Sequence, residues 1–186
     1  MVGRSLFSLL AIAAVAIQSC AANLIPDGRY TIELSGFRAP LSADDVDRGT
    51  LLYVFSDGRI KEWDVKTVNG HDLIEIIVFS STGPRFVAPS EKGIDVVLRD
   101  EPFQWRLKQT EDEDGEVGFH LERTNYYEEN RVLSLSPYRI FPPRAANVPL
   151  GEFRLPQVWA FKPVYNFKQD TNCGPRRLLR DSFYIQ

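Results

Sequence analysis

The residues best placed to do chemistry lie in a proline-rich run. Pro142, Pro143, Pro149 and Pro156 punctuate positions 141–157, with Arg144, Ala145, Ala146 and Asn147 between them. Proline fixes φ at about −65° and has no backbone N–H, so the run is expected to be stiff, extended and unable to join a sheet. Peptidase clefts bind extended chains, and a segment ordered in advance loses less entropy on entering one. Arg144, between Pro143 and two small alanines, would offer a guanidinium to an acidic specificity pocket. Asn147 would suit an asparagine-specific one. Two other arginines compete: Arg48 in Asp44-Asp45-Val46-Asp47-Arg48-Gly49, and Arg85 in Ser81-Thr82-Gly83-Pro84-Arg85. Acids flank Arg48 and would oppose an acidic pocket, so the order is Arg144, Arg48, Arg85. A proline-rich insertion that only covers one end of the fold remains the alternative.

Other chemistries find less support. An enzyme needs a nucleophile, a base and an oxyanion site, and only His71 and His120 carry an imidazole. His71 falls in an Asn-Gly-His-Asp turn, and His120 alternates with Phe119 and Leu121 as a solvent-facing strand residue. No HExxH, GxSxG or glycine-rich phosphate loop occurs. The acidic run Glu111–Glu116 superficially suggests a calcium loop. With Gly115 at the sixth position, however, Thr110 and Leu121 fall where carboxylates are required, so the run reads as a solvated hairpin turn. We expect a protein that is not an enzyme and has no metal or cofactor.

The elements that must position these residues come from an internal repeat. Three segments share a tryptophan followed two residues later by an apolar residue: Trp63-Asp64-Val65, Trp105-Arg106-Leu107 and Trp159-Ala160-Phe161. Period-2 alternation of this kind marks strands with one buried face, so the three indoles should share one core. Upstream of each, three further strands recur in the same order. The first strands are 28–34, 72–78 and 118–123, and the second are 37–42, 85–90 and 131–136. The third are 51–55, 94–98 and Tyr138-Arg139-Ile140-Phe141. Twelve strands in three four-stranded units result, broken by turn residues at Ser56-Asp57-Gly58, Asn69-Gly70 and Glu91-Lys92-Gly93.

Asp27-Gly28-Arg29-Tyr30-Thr31-Ile32 and the three tryptophan strands resemble the secreted fungal β-trefoil peptidase inhibitors, the mycocypins and the related serine-peptidase inhibitors. The resemblance spans about residues 25–165. It implies an all-β trefoil with pseudo-threefold symmetry and a target peptidase held by a loop, as a monomer. Trefoils of the ricin-lectin type carry Gln-x-Trp in each repeat. Here Gln157-Val158-Trp159 fits, whereas Glu62 and Gln104 precede their tryptophans in other patterns. A carbohydrate-binding module, with Asp45 and Tyr53 as loose candidates, is therefore the alternative, and a secreted effector without a peptidase target is a third reading.

The chain's ends read differently from its middle. Residues 1–22 combine Arg4, an apolar run from Leu6 to Ile17 too short to span a bilayer, and the small residues Ser19-Cys20-Ala21-Ala22. They read as a secretory signal. Its removal takes Arg4 with it and moves the formal charge from −3 to about −4. Ile17-Gln18-Ser19-Cys20 also loosely resembles a lipoprotein box, to which Gln18 is a poor fit. The domain expected is 23–165, large enough to bury a core without staples. Cys173, in the tail, would be the only thiol of the remaining chain, which excludes an internal disulfide. Residues 166–186 form a basic tail in which Arg176-Arg177 offers a dibasic processing site. The charge is mixed, with no basic stripe for nucleic acid and no second membrane segment.

Overall fold

The computed structural model describes residues 24–68, 72–124 and 130–164. The expected signal segment, His71, Cys173 and the basic tail lie outside them.

Twelve strands follow in order: β1 (Gly28–Leu34), β2 (Ala39–Ser42), β3 (Tyr53–Val54), β4 (Glu62–Val68), β5 (Leu73–Ser80), β6 (Gly83–Pro89), β7 (Val96–Arg99), β8 (Trp105–Glu111), β9 (Val117–Arg123), β10 (Arg131–Leu135), β11 (Ala145–Pro149) and β12 (Trp159–Pro163). Alternation decides their faces. In β1, Tyr30, Ile32 and Leu34 are buried, and in β8 Trp105 and Leu107 are buried while Arg106 and Lys108 face out.

Six strands close a barrel. β1 pairs with β4, β4 with β5, β5 with β8, β8 with β9, β9 with β12 and β12 with β1, all antiparallel. Closure leaves no exposed sheet edge in the ring. The remaining strands form the hairpins β2–β3, β6–β7 and β10–β11. Single bridges join each hairpin to the other two: Leu51 to Val97, Tyr53 to Arg144 and Asp95 to Ala146. A six-stranded barrel capped by a triangle of hairpins is a β-trefoil.

Trp63, Trp105 and Trp159 are fully buried in one core cluster. Each indole Nε1–H donates to a backbone carbonyl of the second strand of its own repeat. The acceptors are Leu41, Val87 and Leu133, each at 2.9 Å. A buried N–H needs such a partner, and here the same partner recurs three times. The sequence separations of 22, 18 and 26 residues differ because the intervening hairpins differ in length while the contact is kept.

The third hairpin corrects the reading of the proline-rich run. Its second strand is not Tyr138–Phe141 but Ala145–Pro149, which pairs with β10 from Leu135↔Ala145 to Arg131↔Pro149. The prolines lie at the ends of this segment, so Arg144–Val148 keeps its N–H groups. Ala145 donates to Leu52 O at 2.8 Å and Asn147 to Ile94 O at 2.7 Å. Ala145, Ala146, Asn147 and Val148 are buried as a result. Arg85, placed by sequence in a loop, lies within β6, because Ser80↔Gly83 closes a tight β5–β6 turn before it.

If the indole contact holds the barrel to its cap, Trp63→Ala should cost about 3–5 kcal/mol. Trp63→Phe, which keeps the ring but strands the Leu41 carbonyl, should cost about 1–3 kcal/mol. Urea unfolding of the two variants checks this ordering.

Candidate functional site

The arginines proposed from sequence are mostly engaged within the protein. Arg144 lies at the junction of two hairpins, partly exposed, with Nη1 3.7 Å from Asp95 Oδ2. Pro143 gives its carbonyl to Val54 N at 2.8 Å. Ala145 and Asn147 have no exposed surface to offer a cleft, which corrects the expectation of a protruding loop there. Arg85 and Arg48 share one carboxylate, at 2.8 Å and 3.4 Å from Asp100. The Arg85 side chain is nearly covered, whereas Arg48 remains open to solvent. Of the loose sugar-site candidates, Asp45 Oδ1 accepts from the Val46 backbone N–H, and Tyr53 sits in the cap beside Arg144. What projects is instead the segment leading into the proline-rich run, 138–141, where Tyr138, Ile140 and Phe141 are exposed and Phe141 meets Phe55 edge-on at 5.2 Å.

A cleft of about 570 Å³ opens on the flank of the barrel, where three segments distant in sequence meet. The first is the turn after β1. Phe37 and Arg38 both donate backbone N–H groups to Leu34 O, at 3.3 and 3.1 Å, and the chain passes through positive φ at Gly36 and Arg38. That tight turn presents the Phe37 ring 63% exposed. A phenyl ring left in water on an ordered turn gains nothing for the fold, since it buries little area.

The second wall is the segment leading into β12, with Arg154, Leu155, Pro156, Gln157 and Val158. Gln157 is buried and holds this wall, accepting from Gly151 N at 2.8 Å and donating to Pro149 O at 3.0 Å. The glutamine of the Gln-x-Trp match is thus a scaffold residue, and its side chain is used up inside the protein. Ser35 N donates to Val158 O at 2.8 Å, which ties the first wall to the second. Gly118 of β9 fits beneath: a Cβ there would come within 2.5 Å of Val158 Cγ1 and 3.0 Å of Trp159 O. Arg154, which lines the cleft, and Arg38, next after Phe37, are the non-glycine residues with positive φ among the described residues. Strain of this kind persists where the surroundings hold it and is often found at binding sites.

The third wall is the β8–β9 turn with Glu111, Asp112, Glu113 and Asp114. It forms the solvated hairpin turn read from sequence. Asp112 Oδ1 accepts from Asp114 N at 3.0 Å and Glu116 N at 2.8 Å, and Gly115 takes the positive φ. Glu111, Glu113 and Asp114 are in no ion pair among the described residues. His120 lies between this turn and the second wall. It is half-buried, not solvent-facing as alternation suggested, and its pKa is lowered. Desolvation is the main cause, Glu122 opposes it and Lys108 adds to it.

The site combines an exposed aromatic face, unpaired carboxylates, a guanidinium and a neutral imidazole in a concavity of ligand size. Sequence reasoning missed Phe37 and Arg154. The one local signal was an aromatic directly after Ser35-Gly36, at a turn where a polar residue is usual.

No family model and no curated protein matches the chain. Solved structures do. The Rhizoctonia solani agglutinin is 17% identical with a TM-score of 0.54, over 75% of this chain and 97% of that one. The cytolethal distending toxin from Actinobacillus actinomycetemcomitans is 12% identical with a TM-score of 0.53, over 78% and 97%. A mosquitocidal holotoxin is 12% identical with a TM-score of 0.54, over 75% of this chain but 18% of its own. These likenesses establish the trefoil fold.

Because the folded His120 pKa lies below its unfolded value, the unfolded chain takes up the proton first as pH falls. Stability should therefore decline as pH drops through about 6.5, the ordinary histidine value, and level off below the folded pKa. Thermal melts of wild type and His120→Asn between pH 7.5 and 5 check this, the variant showing the shallower decline.

Proposed function

We propose that the protein is a carbohydrate-binding trefoil that takes a neutral or amino sugar in the cleft at Phe37. The observation that carries this reading is the exposed Phe37 ring lining one cleft together with carboxylates that are in no ion pair. The apolar face of a pyranose packs on such a ring, while its hydroxyls donate to carboxylate oxygens in strong charge-assisted hydrogen bonds. Arg154 supplies a donor for ring or glycosidic oxygens. Four carboxylates against one guanidinium disfavour acidic sugars here. That one structural neighbour is an agglutinin supports this reading over peptidase inhibition. The module would work as a secreted, non-enzymatic monomer.

Peptidase inhibition is the second reading. It is favoured by the exposed Tyr138-Arg139-Ile140-Phe141 segment, whose base is clamped by Ser136 N to Arg144 O at 2.8 Å, and by the solvent-open Arg48. Exposed aromatics on an ordered loop are typical interface anchors.

Glycan-array screening followed by titration with the strongest hit tests the first reading. Phe37→Ala should weaken binding by about 1–2 kcal/mol, as loss of a stacking ring does, and leave the melting temperature unchanged. If no neutral or amino sugar binds while wild type inhibits a serine or cysteine peptidase and Phe141→Ala or Arg48→Ala does not, the second reading takes its place.

A further inference from the structure

We propose that a second cleft, one repeat further round the barrel, binds an acidic sugar bearing a carboxylate or sulfate. It has a volume of about 340 Å³ and is lined by Arg29, Arg59, Ile60, Lys61, Glu62, Asp64, Val78 and Phe79. The inference rests on the carbohydrate reading of the molecule but not on the first cleft being filled.

Strand register relates the two clefts. In the first, the segment before Trp159 meets the end of β1, where Leu34 pairs with Trp159. In the second, the segment before Trp63 meets the end of β5, where Val78 lies one step beyond the Asp64↔Ile77 pair and so faces Trp63. Each cleft is thus the groove between a tryptophan strand and the close of the next repeat's first strand. Each also carries an exposed phenylalanine, Phe37 at 63% and Phe79 at 64%. Two exposed phenyl rings in grooves related by the pseudo-threefold axis are not accounted for by the core, which holds neither.

The charge differs in sign. In the second cleft Asp64 and Glu62 are engaged by Arg29: Arg29 Nε lies 3.3 Å from Asp64 Oδ1, and Nη1 lies 3.8 Å from Glu62 Oε2. Arg59 is exposed and in no ion pair among the described residues. Lys61 gives its ammonium to the Ser56 carbonyl at 3.0 Å, keeping its charge uncompensated at the rim. A ligand packed on Phe79 therefore meets a guanidinium and an ammonium whose carboxylate neighbours are already taken. Guanidinium pairs bidentately with carboxylate or sulfate oxygens, which selects an acidic sugar over a neutral one. The volume suits about one sugar ring, with the rest of a chain left in solvent.

Titration calorimetry on the full secreted chain tests this, with a heparin-derived tetrasaccharide, an oligogalacturonate and a neutral cello-oligosaccharide as probes. At least one acidic probe should bind. Phe79→Ala and Arg59→Glu should each weaken it at least about tenfold, with Phe37→Ala unchanged. Binding of the oligogalacturonate identifies carboxylate as sufficient, and binding of the heparin fragment alone identifies sulfate. The proposal is overturned if neither acidic probe binds. It is equally overturned if Arg59→Glu abolishes binding while Phe79→Ala binds as wild type does, because that is diffuse attraction of a polyanion. Loss of neutral-sugar binding in Phe37→Ala without any acidic-sugar binding leaves the first cleft standing and removes the second. Acidic-sugar binding that depends on Phe79, in a protein that binds no neutral sugar, does the reverse.

Discussion

Each repeat is pinned by a buried indole that donates to a carbonyl of its own second strand, and the rest of the structure depends on that contact. A tryptophan contributes more buried area than any other side chain, but its N–H makes full burial costly unless an acceptor is fixed in place. Leu41, Val87 and Leu133 supply that acceptor from the hairpin strand, so one side chain both fills the barrel and attaches the cap to it. Bridges between hairpins and the buried Leu52, Val96, Leu98 and Ala145 then close the cap. Stability is concentrated in the Trp-centred core, and the turns outside it are open to change.

The turns use that freedom unequally. The groove before Trp159 has acquired a four-carboxylate turn, and the groove before Trp63 has acquired Arg59 and Lys61. Neither set contributes much to folding, since exposed charges in water are worth at most about 1 kcal/mol per pair. A symmetric scaffold can therefore hold grooves of similar shape and opposite charge at little cost in stability. That is consistent with the elongated hairpin in the third repeat, which changes the exposed residues 138–141 and leaves the Trp159–Leu133 contact at the same 2.9 Å as its two counterparts.

The barrel and most of the cap were legible in the sequence because they depend on local signals. Period-2 alternation around Trp63, Trp105 and Trp159, with Gly- and Asp-rich turns between, places eleven of the twelve strands close to their positions in the structure. The exception was the strand after Arg144. Counting prolines suggested a loop, but what matters is where the missing N–H groups fall, and Pro142, Pro143 and Pro149 fall at the ends of the paired segment. The cleft was not legible for a different reason. Phe37, Asp112 and Arg154 belong to three repeats and share no spacing pattern; Ser35 N to Val158 O and the bare Gly118 bring their segments together. Arginine beside proline drew attention because such a pattern is local. A site assembled across a pseudo-threefold axis leaves no such trace.

The segment before Trp105 shows an aromatic put to a different use. This tryptophan is preceded by Phe103-Gln104, in the place taken by Gln157-Val158 and Lys61-Glu62 in the other two repeats. Phe103 does not face outward. Its ring meets Trp105 edge-on at 5.0 Å and packs against the core, while the Gln104 carbonyl accepts from Thr124 Oγ1 at 2.9 Å, which ties the end of β9 to the segment before Trp105. An aromatic two residues before tryptophan thus serves the core here, whereas Phe37 on the turn after β1 and Phe79 near the end of β5 stay exposed. Leaving a phenyl ring mostly exposed forgoes much of the roughly 1.5–3 kcal/mol that full burial gives. Phe37 and Phe79 forgo it in two related grooves, and it is this repeated cost, more than the charge of either groove, that marks them as surfaces for a ligand.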